Sequence, residues 1–342
     1  MSTSPTISTT ATPIEHTPHR HNFALRLFLR LGVLPFFLLI AIAVFATLSE
    51  QFLTAQNLIN LLRQSVYLVL VSLGQMLALA TGGFDLSVGT VIALTSVVSA
   101  LVMTAFPELS PIASIGLGCL AGLSIALLVG LINGAGIAYA GVSPFIMTLG
   151  VQSIGFGLAL YLTGGVPVSG LPGEFSDILG IGHVLGVPIP VLITAVVALG
   201  LYLMMTRTAS GTYLLAVGGN VKAAHLSGID ARRMLIVAYL ICAFTAALAG
   251  ILLTARVESG EANLGGSIAL ESIAACVIAG VSLRGGVGRV ENVVLGAVFI
   301  GLVQNGMNLT NVGSYMQMVV LGSLLIIAVV ADSVRHRLSL AN

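Results

Sequence analysis

The sequence predicts an all-α fold, a polytopic membrane bundle of about ten transmembrane helices with both termini on the cytoplasmic side. Only 7% of the 342 residues are charged, 57% are hydrophobic, and the mean hydropathy is +1.09. So few charged side chains cannot cover the surface of a water-soluble fold. Because one span takes about 20 residues, the chain has room for about ten spans with short connections, which indicates a single bundle.

Long apolar runs mark the candidate spans in chain order. They lie near residues 31–48, 64–81, 88–105, 112–138, 144–162, 189–206, 233–255, 268–283, 291–309 and 315–331. The second and third runs are separated only by the segment GGFDLS, so nine, ten or eleven spans fit the pattern. We predict ten spans within one transmembrane domain over residues 23–335.

The two ends of the chain are predicted to lie outside this domain. Residues 1–22 are rich in Ser, Thr and Pro, a composition that cannot bury a core, so we expect a disordered cytoplasmic tail. The histidines of this tail have no accompanying acid or cysteine cluster, so no metal site is predicted there. Residues 336–342 are predicted as a second, short cytoplasmic tail.

The basic residues set the orientation, because Lys and Arg prefer the cytoplasmic face. With the N-terminus inside, only Arg63 and Arg256 of the thirteen basic residues fall outside. The other eleven lie inside, namely Arg20, Arg26, Arg30, Arg207, Lys222, Arg232, Arg233, Arg284, Arg289, Arg335 and Arg337. A shift of register by one span would scatter them over both faces, which favours ten spans.

Motifs for enzyme chemistry are absent from the sequence. The only lysine, Lys222, stands in GGNVKAAH, so the chain has no phosphate-binding loop of the form G-x-x-x-x-G-K-[ST]. No G-x-S-x-G, H-E-x-x-H or G-x-G-x-x-G is present either. The three cysteines lie singly in separate apolar runs, and no basic run offers a surface to nucleic acid. We therefore predict no enzyme activity and no cofactor in this chain.

Two acids fall where helices break at membrane depth, which is tolerated where the backbone lines a cavity or is buried in protein. In TGGFDLSVGT, Gly82 and Gly83 are expected to end one helix, and Asp85 or Ser87 to cap the next. Glu271 begins a helix after the Gly-rich segment SGEANLGGS. Each acid is either a helix-terminal group or a residue of a translocation pathway, since ionisable groups within a membrane are functional candidates.

Amides inside the spans are further pathway candidates. They either bind a hydroxyl-rich solute or hydrogen-bond helices to each other. With the acids, the candidate set is Asp85, Ser87, Gln75, Asn133, Glu271, Asn305 and Asn308, and Gln152 is a further polar point. A proton- or sodium-driven carrier needs several intramembrane ionisable groups, and two are too few. The energy for transport is therefore expected to come from elsewhere.

The polar segment GGNVKAAHLSGID, residues 218–230, separates two apolar runs. Asn220 is a good N-cap and Gly228 a good C′ residue, so we predict a two-turn helix between them. One face would be small, with Ala223, Ala224 and Ser227, and would let another protein approach closely. A plain connecting loop is the alternative.

Several segments together resemble the permease subunits of ribose-type ABC importers, in the branched-chain amino acid/ribose permease superfamily. They are LSEQFLTAQNLINLLRQ (48–64), GFDLSVG (83–89), RTASGTYLLAVGGNVKAAHLSGID (207–230) and IAACVIAGVSLRGGVGR (273–289), followed by NGMNL and YMQMVV. The resemblance runs in order from about residue 31 to residue 335. The segment RVESGEANLGGSIALES is more acidic than expected for a ribose permease, which leaves the particular sugar open.

The resemblance implies a bacterial inner-membrane permease that translocates a monosaccharide and pairs with itself or with a second permease. The loop 207–232 would hold the coupling helix that docks on a cytoplasmic ATP-binding subunit. The coupling candidates are Gly218, Gly219, Asn220, Ala223, Ala224, Ser227 and Gly228. A periplasmic sugar-binding protein would dock on the outer loops, with Glu50, Glu174, Asp177, Glu258 and Glu261 as candidates. The alternatives are an ATPase-independent secondary carrier, or an ABC permease for a furanone-type signal, a nucleoside or a polyol.

Overall fold

The computed structural model describes residues 34–341, and the side chains of residues 34–330. The helices are α1 Leu34–Leu48, α2 Ala55–Ala80, α3 Val88–Ala105, α4 Pro111–Ala138, α5 Pro144–Thr163, α6 Ile189–Arg207, α7 Ala209–Gly219, α8 Val221–Leu226, α9 Ala231–Val257, α10 Ile268–Ile278, α11 Val290–Leu309 and α12 Ser314–Ala341. Between α5 and α6 lie a single turn Gly173–Phe175, a π-helix Ser176–Gly180 and a hairpin of β1 His183–Val184 with β2 Val187–Pro188.

The predicted all-α membrane bundle is confirmed, and each predicted span corresponds in order to one helix among α1–α6 and α9–α12. In the described part of the chain, seven of these helices are long and apolar enough to cross a membrane. Helices α1 and α10 and the described part of α12 are apolar but shorter. Helix α12 continues through residues 336–341, which the sequence predicts as a tail. The predicted N-terminal tail lies outside the described residues.

Helices α2, α3 and α9 form the centre of the bundle. Helix α2 is buried along most of its length and packs against α9, α11 and α10. Helix α4 approaches closely because its glycines leave no room for a side chain: Gly118 and Gly122 lie against α3, and Gly130 and Gly134 against α9. Small residues spaced four apart predict such close packing, because helix association in lipid depends on close contact between backbones.

The segments predicted to be cytoplasmic meet at one end of the bundle. There the end of α2 contacts α7 and the turn after α10, through Ala80, Gly218 and Gly286. The segments predicted to lie outside meet at the opposite end, where Val168 pairs with Gly260. The fold therefore has the two-ended arrangement that the charge distribution predicts.

Two connections re-enter the bundle from opposite ends and meet inside it. Residues 81–87 fold back from the end of α2, and residues 258–267 descend from the end of α9 towards α10. Their backbones touch where Gly89 faces Gly265, and a Cβ on either glycine would collide with the other's carbonyl oxygen. The predicted breaks between helices are therefore present. Residues 81–87 are mostly buried in protein, whereas residues 258–267 are buried at Gly260, Ala262 and Gly265 and exposed at Asn263 and Gly266.

Candidate functional site

The polar segment at 218–230 contains the short helix that its capping residues predict. The Asn220 side chain accepts a hydrogen bond from the Ala223 N–H at 3.0 Å, and α8 follows over Val221–Leu226. At its end Gly228 has φ of +81°, its N–H donates to the His225 carbonyl at 3.0 Å, and the Ile229 N–H donates to the Ala224 carbonyl at 3.0 Å. This is a Schellman motif, which explains why glycine follows the helix.

The exposed face of α8 differs from the small-residue face that the sequence suggests. Ala224 is only 4% exposed and packs towards the bundle, so it cannot contact another protein in this arrangement. Leu226 is instead 88% exposed, and Val221 beside it is also exposed. Leu226 is not among the coupling residues that the sequence predicts, although a helical period that turns position 224 inward points 226 away from the bundle. Helix α8 therefore presents a large apolar side chain at the end of the bundle that is predicted to be cytoplasmic.

Glycines hold the end of α7 against two other segments. A Cβ on Gly218 would collide with the Ala80 carbonyl oxygen and with the Gly286 N–H, and these two groups are hydrogen-bonded to each other at 2.9 Å. Gly285, with φ of +87°, packs against Gly218 and Gly82. We call this contact the glycine interlock. It joins the predicted coupling segment to the end of α2 and to the tight turn in RGGVGR.

Helix α2 ends as the sequence predicts, and the following residues fold back along it. Gly82 has φ of +84° and the Gly83 N–H donates to the Ala78 carbonyl at 3.0 Å. In the orientation that satisfies both groups, the Gln75 amide donates to the Asp85 carbonyl at 3.0 Å and accepts from the Asp85 N–H at 3.2 Å. Gln75 therefore serves as the backbone partner of the re-entrant segment.

The Asp85 carboxylate lies at the centre of a buried polar cluster formed by Gln75, Asp85, Ser87 and Asn133. Its Oδ1 accepts from the Ser87 N–H at 2.9 Å and from the Ser87 hydroxyl at 2.6 Å, and Asn133 donates to the Ser87 Oγ at 2.8 Å. Asp85 is only 1% exposed. The expected side-chain cap of α3 is not formed, because Asp85 binds the backbone two residues on and the Ser87 side chain makes no cap hydrogen bond.

Glu271 lies in the first turn of α10 and opens into a cavity of about 360 Å³ between α10, α11 and α12. Gln304 of α11 donates to Glu271 Oε2 at 3.1 Å, and Gln317 of α12 also lines the cavity. The other lining residues are Ser267, Leu270, Ala274, Ile300, Ser314, Met318, Leu321, Gly322 and Leu325. A carboxylate, two amides and two hydroxyls on an apolar wall are the groups that bind a small polar solute.

The remaining amide candidates are divided between structural and peripheral positions. Asn305 is buried and exchanges two side-chain hydrogen bonds of 3.0 Å with Asn57, so it joins α11 to α2. Asn308 is exposed and accepts from Gln317 at 2.7 Å. Gln152 bonds Thr90 through its backbone carbonyl, at 2.8 Å. The sequence analysis named Asn305 and missed its neighbour Gln304, which is the residue that faces the cavity.

The acids of the outer loops have unequal surroundings. Glu50, Glu174 and Asp177 are exposed. Glu258 accepts from the Ser176 hydroxyl at 2.8 Å and so fastens the loop before α6 to the end of α9. Glu261 accepts from the Ser259 hydroxyl at 2.9 Å. The first three are free for another protein to contact, whereas Glu258 and Glu261 also hold their own loops.

Comparison with known proteins places these features in a family. A family model described as a branched-chain amino acid transport system / permease component matches residues 57–329, which include the Asp85 cluster, the glycine interlock and the Glu271 cavity. The chain belongs to this permease family. No solved structure matches it.

Similar proteins cover nearly the whole permease. The ribose import permease protein of Escherichia coli (strain K12) is 37% identical over 299 residues, 86% of this chain and 91% of the relative. The D-allose transport system permease protein of the same organism is 37% identical over 298 residues, 87% and 90% of the two chains. The galactose/methyl galactoside import permease protein of Haemophilus influenzae is 35% identical over 321 residues, 90% and 95%.

Membership of the family fixes the general role of the chain. It is a multi-pass membrane protein and the permease component of an ABC importer. Such a permease works with an ATP-binding subunit and a solute-binding protein, which agrees with the absence of a phosphate-binding loop from the sequence.

Proposed function

We propose that this permease translocates a monosaccharide across the bacterial inner membrane, driven by ATP that a partner subunit hydrolyses. The similar proteins are named for ribose, allose and galactose or methyl galactoside, which are all monosaccharides or their simple derivatives. The observation that carries the proposal is a continuous series of contacts. It leads from α8, which has an exposed apolar side chain, to the polar cavity at Glu271.

The first step is the docking of α8 on the ATP-binding subunit. Leu226 supplies an apolar anchor, and the exposed Val221, Ala223 and Ser227 surround it. Such a short helix in a groove of the partner needs only one or two apolar side chains to fix its position. The buried Ala224 faces the bundle, so a force on α8 reaches the rest of the permease.

The second step passes through the glycine interlock. Gly218 is in backbone contact with Ala80 and Gly286, where no side chain can bend to absorb a displacement. Movement of α7 and α8 therefore shifts the end of α2 together with the segment that holds Asp85. Packed backbones of this kind respond by moving as bodies.

The third step joins the two re-entrant segments. Gly89, just after the Asp85 cluster, touches Gly265, just before α10. Helix α10 carries Glu271 at its first turn. A shift of the Asp85 segment would therefore change the cavity between α10, α11 and α12 and expose it alternately to the two sides of the membrane.

The cavity itself suits a sugar. Its volume of about 360 Å³ lies within the range of small-molecule sites, about 300–1,000 Å³. Glu271 accepts hydrogen bonds from hydroxyl groups, while the amides of Gln304 and Gln317 both donate and accept. The permease pairs with a second one, a copy of itself or a similar chain.

The test is uptake into vesicles that contain the permease, its ATP-binding subunit and its solute-binding protein. We expect ATP-dependent accumulation of labelled ribose, allose or galactose. Competition between the labelled sugar and the other two, added unlabelled, would be measured in the same assay. Uptake of a nucleoside, a polyol or a furanone-type molecule in place of these sugars would overturn the assigned cargo. Sugar uptake by the permease alone would instead identify a secondary carrier.

A further inference from the structure

The two arginines at the outer end, Arg63 and Arg256, converge on one tyrosine. The Arg256 guanidinium carbon lies 5.8 Å from the centre of the Tyr67 ring. Arg63 precedes Tyr67 by one turn of α2, so their side chains lie on the same face of the helix. Arg63 also donates from Nη2 to His183 Nε2 at 2.9 Å. We call Arg63, Tyr67, His183 and Arg256 the outer arginine cluster.

This cluster lacks an anion. Arg63 Nε and the Tyr67 hydroxyl are buried and have no hydrogen-bond partner within the described residues. Within the described residues Arg233 is paired with Asp230, but neither Arg63 nor Arg256 forms an ion pair with an acid. Arg256 is itself exposed, whereas the Arg63 Nε and the Tyr67 hydroxyl are buried, and buried polar groups without a partner are unfavourable. A carboxylate would satisfy both, because it accepts from guanidinium and phenol groups together.

An exposed apolar side chain lies beside the cluster. His183 belongs to the hairpin whose two-residue turn is Leu185 and Gly186, with φ of +52° and +81°. Asn or Asp usually occupies the first position of such a turn, and leucine is rare there. The Leu185 side chain is 99% exposed. This conformation places an apolar side chain at the tip of the hairpin, where another surface can contact it.

We propose that the outer arginine cluster and Leu185 form a docking site for the solute-binding protein, which inserts an aspartate or glutamate carboxylate between Arg63 and Arg256. A docked protein would cover Leu185 and also supply the carboxylate, whereas a free anion would leave Leu185 exposed. The proposal rests on the proposed function and deepens it. It also places the main electrostatic contact on basic residues, whereas the sequence analysis placed it on the outer acids.

The test measures the Kd of the solute-binding protein for the assembled importer in lipid nanodiscs without nucleotide. We expect Arg63→Gln and Arg256→Gln each to weaken binding roughly 10- to 100-fold, because each removes a charge-assisted hydrogen bond. Raising the salt concentration should weaken wild-type binding more than binding to the double variant. Arg256→Lys should restore only part of the affinity, since it keeps the charge and loses the planar fork.

Matched controls come from the opposite end of the permease. Arg232 lies 5.6 Å from the centre of the Tyr139 ring, so Arg232→Gln removes the same kind of contact and should leave this Kd unchanged. Leu185→Ser should weaken binding. Equal Kd values for wild type and the double arginine variant would overturn this inference. No binding to the wild-type importer would instead contradict the proposed function.

Discussion

At the scale of single residues, local hydrogen bonds account for one oxygen of the Asp85 carboxylate, whereas its Oδ2 is buried and has no hydrogen-bond partner among the described residues. One oxygen satisfies two groups of Ser87, and the backbone of Asp85 is paired with Gln75. These bonds hold the re-entrant segment in place. We propose the pathway role for Glu271, because it opens into a cavity.

Substitution of Asp85 distinguishes a role in positioning the re-entrant segment from a role in the transport pathway. Asp85→Asn keeps the accepting oxygen, so we expect near-normal transport and normal melting temperature. Asp85→Ala leaves the Ser87 groups buried and unpaired, which costs about 1–3 kcal/mol each. Melting of the purified permease and sugar uptake would be measured together. Severe loss of uptake by Asp85→Asn in a fully folded protein would show that the charge itself takes part in transport.

Two amides that are neighbours in α11 should respond differently. Asn305→Ala leaves Asn57 buried without its partner, so we expect a loss of about 1–3 kcal/mol in stability and an unchanged KM for sugar. Gln304→Ala should raise the KM several-fold with little change in melting temperature. A shift of KM by Asn305→Ala alone would contradict the assignment of the cavity.

At the scale of elements, capping residues close in the chain determine where the short helix α8 forms. Its packing against the rest of the fold determines which of its side chains are exposed. Asn220 and Gly228 cap it as the sequence predicts, because capping depends on residues close in the chain. The exposed face could not be predicted, since the inward direction of Ala224 depends on packing against distant helices.

Substitution of the exposed leucine tests docking of α8. Leu226→Asp should weaken binding of the ATP-binding subunit at least tenfold, because it replaces an apolar anchor by a charge. Leu185 is also highly exposed but lies at the other end of the permease. The Leu185→Asp permease is therefore the matched control and should bind the ATP-binding subunit normally. Pull-down of that subunit and ATPase rate would be measured. Unchanged binding by Leu226→Asp would rule out docking through this face.

The predictable part of the fold is the part with local signals. Apolar length identified the spans, and glycine spacing identified the close contacts of α4. The interior of α11 carries Gln304 and Asn305 side by side, and a helix that is apolar on every side gives no signal of which one faces the cavity. Glu258 likewise looked free for docking, although it bonds Ser176 across 82 positions of sequence.

At the scale of the whole molecule, the permease connects its cytoplasmic end to its cavity through backbone contacts. The glycine interlock joins α7 to the end of α2 and to the turn after α10, and the Gly89 to Gly265 contact joins the start of α3 to the segment before α10. A bulky group at either point must move a backbone. The account therefore predicts that these contacts control the coupling of ATP hydrolysis to transport.

The most direct measurement is the number of sugar molecules imported per ATP hydrolysed in vesicles that contain the complete importer. Gly218→Ala should lower this ratio roughly tenfold while the ATP-binding subunit stays bound, because its methyl group would collide with Ala80 and Gly286. Gly200→Ala, where the methyl group meets nothing within 4 Å, should keep the wild-type ratio. A wild-type ratio for a folded, assembled Gly218→Ala permease would contradict the account.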